Sequence, residues 1–175
     1  GLGDVYKRQI YNGAKRFKDA DGYYHWALDK KGLLDDTLVT SSCSLELSRR
    51  AYNKICELIQ DQEFIYHNII ISNTKLNSNK FDRGGIDRSR FSMDSYYPIL
   101  CGSGTKKDAI KTLNKFYVNG LGIKCVEEEP WVTFAESSEC IMALYKIGLK
   151  KEARKIFDEV MKHKNSKGYF STGYQ

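Results

Sequence analysis

Long apolar runs are missing from this 175-residue chain: nothing approaches the roughly 18 residues that a membrane helix needs, so no membrane span is expected. Metal-site and disulfide spacings are missing as well. The five cysteines, Cys43, Cys56, Cys101, Cys125 and Cys140, are odd in number, far apart and never C-x-x-C, which argues against a zinc ribbon or a disulfide scaffold. Buried thiols in a reducing compartment, the cytoplasm, are the expectation. His25, His67 and His163 are isolated, without H-E-x-x-H or H-x-x-E-H, so no catalytic metal and no other cofactor are called for. GSGTKKD and GLGIK match neither nucleotide-loop pattern, and no Ser-His-Asp order or activated cysteine stands out. The net charge of +6 is mild. Its densest runs, KKDAIK and KKEARK, lie beside acids at apparent helix starts, where a solvated face is expected, so no nucleic-acid partner is indicated.

The first nine residues, GLGDVYKRQ, are set apart. Back-translated, Asp4 to Gln9 reproduce a transposase end sequence used as a sequencing adapter, so residues 1–9 are read as translated adapter and kept out of fold reasoning. Residues 10–175 are then enough for one domain, expected to be truncated at both ends.

What the chain does have is helical periodicity. In KKEARKIFDEVMKHK, Ala153, Ile156, Phe157, Val160 and Met161 form an amphipathic stripe. Leu45, Tyr52, Ile55, Leu58 and Ile59 mark another helix, and Ala109, Ile110, Leu113, Phe116 and Tyr117 a third that Gly120 can end in a left-handed cap. AESSECIMALYKIG is apolar around most of its circumference, as an inner helix is. The fold class is therefore all-α. Paired helices are predicted at about 42–59 and 61–76, 95–101 and 106–118, and 133–147 and 149–164.

The connecting loops DGYYHWALDKKGLL, FDRGGIDRSRFSMD, NGLGIKCVEEEPW and KGYFSTGY carry glycine and aromatic residues and lead into helix starts. DGYYHW and KGYFST look like copies of one element, and LVTSSCSLE resembles WVTFAESSE. A repeat of loop, inner helix and outer helix follows, spaced by about 40–60 residues. Such units bury one another's faces, either as an open solenoid or as a closed double ring whose aromatic loops meet at one central cavity. The placement of the loops favours the ring.

SRFSMDSYYPIL, GLGIKCVEEEPWVTFAESSE and KGYFSTGY, taken in order with WALDKKG and LVTSSCSLELSRRA upstream, resemble a group of bacterial proteins catalogued as prenyltransferase-like. The resemblance covers most of residues 20–175. It implies a fragment of an α/α toroid, a helical-hairpin barrel with aromatic-rich loops at one end, the fold of terpenoid cyclases, protein prenyltransferases and six-hairpin glycosidases. One fold hosts several chemistries. The D-x-D-D motif and zinc ligands of isoprenoid enzymes do not occur here, whereas glycoside chemistry needs two carboxyls and aromatic faces for a sugar ring.

The candidate carboxyls are Asp94, Glu136 and Glu139. Trp26, Tyr96, Tyr97, Trp131 and Tyr169 are the candidate aromatic platforms, and Arg90 the candidate anchor among Arg83, Arg88 and Arg90. Arg83 and Arg88 are expected in solvent or paired with Asp82 and Asp87. Structural readings stand beside these. Thr133 to Glu136 reads as a capping box; Asp94 reads as a cap for a helix starting near Pro98; Trp26 and Trp131 read as core. The expected activity is that of an enzyme on a sugar or glycoconjugate, with isoprenoid transfer or cyclisation, or a non-catalytic toroid that binds a glycan or lipid, as alternatives.

Overall fold

A computed structural model describes residue 9 and residues 12–20, 23–60 and 86–175. The helix predicted over 61–76, Arg83, and nearly all of the adapter-like leader lie outside the described residues. What is described is predominantly helical, with strands of two residues only. The chain divides into two compact units, residues 1–86 and 87–175.

In the first unit a hairpin pairs β1 (Leu28–Asp29) with β2 (Gly32–Leu33). Asp29 closes its turn by accepting the Lys31 and Gly32 amides at 2.7 and 3.1 Å. Helix α1 (Val39–Leu58) follows. It buries Val39, Ser42, Cys43, Glu46 and Cys56, nearly the opposite face from the predicted stripe, for Ile55, Leu58 and Ile59 are exposed. A charged side chain can be buried on such a face when it brings partners with it. Glu46 does so, receiving Arg49 Nε and a terminal Arg49 nitrogen at 2.9 and 2.8 Å.

The second unit is two helical hairpins. A 3-10 turn (Arg88–Arg90) leads into α2 (Ser92–Leu100), which hairpins with α3 (Lys106–Phe116); α4 (Phe134–Lys146) hairpins with α5 (Lys150–Val160). Helix α2 packs on α4, so this pair forms an inner layer flanked by α3 and α5. The core between them joins Tyr96, Ile99, Ala109, Phe116, Ile123, Cys140, Ala143, Leu144, Ala153, Ile156 and Val160.

Three details differ from the sequence reading. Helix α2 begins at Ser92 rather than near Pro98, and Pro98 sits inside it; Asp94 is thus within the first turn and not ahead of it. On α3 and α5 the buried stripes lean one residue aside. Thr112 is buried where Ile110 was expected, and Glu159 where Phe157 was. Glu159 is admitted to the core edge because the Tyr117 hydroxyl lies 2.8 and 2.9 Å from its two oxygens. Finally, α3 ends at Tyr117 in extended backbone, and Gly120, with φ +80°, turns the hairpin from β3 (Tyr117–Val118) to β4 (Gly122–Ile123) instead of capping the helix.

Candidate functional site

The loop between β4 and α4 stitches the first turns of the two inner helices together. On one side the Ser92 amide donates to the Cys125 carbonyl at 3.0 Å and the Glu127 amide to the Arg90 carbonyl at 2.9 Å. On the other, the Ile123 amide donates to Ser137 Oγ at 2.9 Å, and that hydroxyl donates to the Thr133 carbonyl at 2.7 Å. The contact is close enough to require glycine. At Gly122, with φ +133°, an added Cβ would lie 2.5 Å from Ser137 Oγ, which accounts for the second glycine of GLGI. Strand β5 (Val132–Thr133) then pairs with β6 (Gly173–Tyr174), bringing the KGYFSTGY turn over the start of α4.

Asp94 and Glu136 occupy the same position, third in the helix, on α2 and α4. Asp94 is the more enclosed. Its side chain is 6% exposed, Oδ2 accepts Arg88 Nε at 2.7 Å, and Oδ1 is buried with no hydrogen-bond partner. Burial pushes its pKa up and the Arg88 guanidinium only partly offsets this, so the protonated form is favoured relative to an ordinary aspartate. Phe91, which precedes α2, offers no side-chain cap.

Around Glu136 only half of the predicted capping box forms. Thr133 Oγ1 accepts the Glu136 amide at 3.2 Å, but the Glu136 carboxylate is not bonded back to the Thr133 amide; α3, by contrast, has the complete box between Thr105 and Asp108. The Glu136 carboxylate faces the Cys125 thiol, whose pKa is pushed up to about 11, by burial first and by Glu136 second. Glu139, one turn on, accepts the Tyr96 hydroxyl at 2.7 Å. Burial and this carboxylate raise the Tyr96 pKa far above its usual value, so at ordinary pH the phenol is a donor.

The aromatic candidates separate. Tyr96 is fully buried and serves Glu139 rather than presenting a ring face; Tyr97 packs half-buried against the core. Trp131 is 42% and Tyr169 68% exposed. Trp131 packs on Gly173, where a Cβ would come within 2.6 Å of the ring, and Phe170 stacks on Phe134 at 3.9 Å, so exposed aromatic surface rims the start of α4. Trp26, 46% exposed, belongs to the first unit. Arg90 is drawn to Glu128, with Nε 3.2 Å from Oε1. The guanidinium beside a candidate carboxyl is Arg88's, which the sequence reading left in solvent or paired with an aspartate of its own loop. An ion pair six residues apart across a turn-helix junction has no periodic signature.

Among the described residues no three of His, Cys, Asp and Glu gather as a metal-binding set, and no helix is long and apolar enough to cross a membrane. The five cysteines are thiols, four of them buried.

Comparison with protein-family models finds no match for the chain. A curated relative does align. The chain is 28% identical over 156 residues to the MMP endo-(1,4)-3-O-methyl-alpha-D-mannosidase of Mycolicibacterium hassiacum, taking in 87% of this chain. The alignment spans 43% of that relative's length.

Proposed function

We propose that this chain is part of an enzyme of the α/α-toroid type that cleaves a glycosidic bond, with an α-mannoside as the substrate class and Asp94 as proton donor. The observation that carries the reading is the Asp94 carboxyl: almost wholly buried, held by one oxygen and unpartnered at the other. A carboxylic acid that must protonate a leaving oxygen needs a raised pKa and an oxygen whose hydrogen bond is not already taken. The similarity to an endo-mannosidase supports the same reaction class.

Glycoside cleavage needs a second carboxyl on the other side of the sugar. Glu136 and Glu139 on α4 supply the candidates, held by contacts different from those of Asp94. Trp131 and Tyr169 have the exposure that sugar stacking requires, and a sugar or glycoconjugate is the proposed ligand. The test is hydrolysis of a 1,4-linked 3-O-methyl-α-mannose oligosaccharide by the protein and by Asp94→Asn. The reading predicts turnover that falls by about two to four orders of magnitude in the variant, and equal turnover by the two proteins sinks it.

A further inference from the structure

We infer that Arg88 is a positioning residue for Asp94, fixing which oxygen carries the reactive proton. This rests on the reading of Asp94 as proton donor. The guanidinium takes Oδ2 at 2.7 Å and leaves Oδ1 as the oxygen without a partner. A proton on the carboxyl therefore resides on Oδ1, since Oδ2 already accepts from a permanently charged donor. In the reaction the anomeric carbon gains an oxygen from water or from the second carboxyl as its bond to the leaving oxygen breaks, the leaving oxygen takes the Oδ1 proton, and the O–H electron pair stays on the carboxylate. The charge so formed lies against Arg88.

Arg88 is itself held in place. It stands on the 3-10 turn Arg88–Arg90, which Asp87 caps by accepting the Ser89 amide at 2.8 Å, and its guanidinium lies 4.5 Å from the centre of the Phe91 ring. Other charged groups among the described residues are engaged elsewhere. Arg90 pairs with Glu128; Lys115 on α3 bonds the Ser89 carbonyl and Glu127; Glu136 and Glu139 on α4 act on Tyr96, which is two residues from Asp94 and so leaves α2 in a different direction. Asp94 is the one charged residue of α2.

The test reads Asp94 directly, by carbon-13 NMR titration of its carboxyl without substrate, in the wild type and in Arg88→Gln. Losing an adjacent cation raises a carboxyl pKa by about 1–3 units. The expected result is a midpoint at least about one unit higher in Arg88→Gln, with the alkaline limb of the rate profile on the 3-O-methyl-mannose oligosaccharide moving up by the same amount and kcat falling more than KM rises. Arg88→Lys keeps the charge without the fork and is expected to fall between the two; it carries the titration if Arg88→Gln does not fold. An unmoved midpoint in the folded variant overturns the inference while leaving the role of Asp94 standing. Full activity in Asp94→Asn removes that role and the inference with it, whatever the titration shows.

Discussion

The first turns of α2 and α4 place an acid at the same helical position and give it opposite surroundings. Asp94 is enclosed, paired with a cation through one oxygen, and destabilised as an anion by burial. Glu136 is only partly buried and stands beside a thiol, over a threonine cap that it does not close. A carboxylate near a helix N-terminus is favoured by the dipole wherever it occurs, so position alone cannot mark a reactive group. The difference lies in desolvation and in which oxygen is left over.

The largest expected effect breaks the comparison if it fails. Asp94→Asn keeps the shape of the side chain and is expected to lower turnover by about two to four orders of magnitude. Glu136→Gln should lower it far less than Glu139→Gln if Glu136 is the structural member of its pair. Steady-state rates on the oligosaccharide for the three variants decide this, and a Glu136→Gln loss as large as that of Asp94→Asn would make the two first turns equivalents.

Next in size is the joint between the turns. Gly122→Ala forces a side chain into positive φ and against Ser137 Oγ, so about 1–3 kcal/mol of stability should be lost from the backbone strain alone, read as a lower urea midpoint. Tyr96→Phe removes the donor to Glu139 and should cost about 1.5–3 kcal/mol, the usual range for a hydrogen bond to a charged group; an unchanged urea midpoint would show that Glu139 finds another partner.

Two smaller effects sharpen the contrast. Removing the charge in Glu136→Gln should bring the Cys125 thiol down from about 11, seen as faster iodoacetamide alkylation at pH 9, whereas Asp94→Asn should leave that rate unchanged. The Asp94 pKa is raised in the fold above the ordinary aspartate value of 3.8. Its contribution to stability is therefore full below pH 3.8 and is lost as pH rises through the folded pKa. The melting temperature of Asp94→Asn relative to wild type should accordingly be higher at pH 7 than at pH 3. A relative melting temperature that falls over this interval would mean that Arg88 outweighs burial.

Much of the second unit is legible in the sequence because its apolar spacing is helical and its core residues are those of the stripes: Ala109 and Phe116 on α3, Ala153, Ile156 and Val160 on α5. The stripes slip where a polar residue has a partner from far along the chain, as Glu159 has in Tyr117, since periodicity counts side chains and not their bonds. Proline misplaced the start of α2. Pro98 suits a first turn, but here it lies seven residues in, and the 3-10 turn that sets the true start has no strong code. In α1 the buried face is mostly small side chains, Ser42, Cys43 and Cys56, with one charge, Glu46, among them, and a hydropathy stripe points away from it. Among the candidate site residues, Asp94, Glu136 and Glu139 are visible as carboxyls near helix starts. The choice of Arg88 over Arg90 and the Tyr96 to Glu139 bond depend on contacts between elements, of which sequence spacing carries no trace.

The pairing of β5 with β6 has a consequence for the order of events in folding. Val132 and Thr133 meet Tyr174 and Gly173 only after both helices between them, α4 and α5, have been brought round, and closing a loop of about 40 residues costs on the order of 3 kcal/mol in chain entropy beyond a constant. The ladder that rewards this is two residues long. The clasp over Trp131 should therefore form late and open first, with the start of α4 exchanging its amide protons sooner than the buried middle of the same helix.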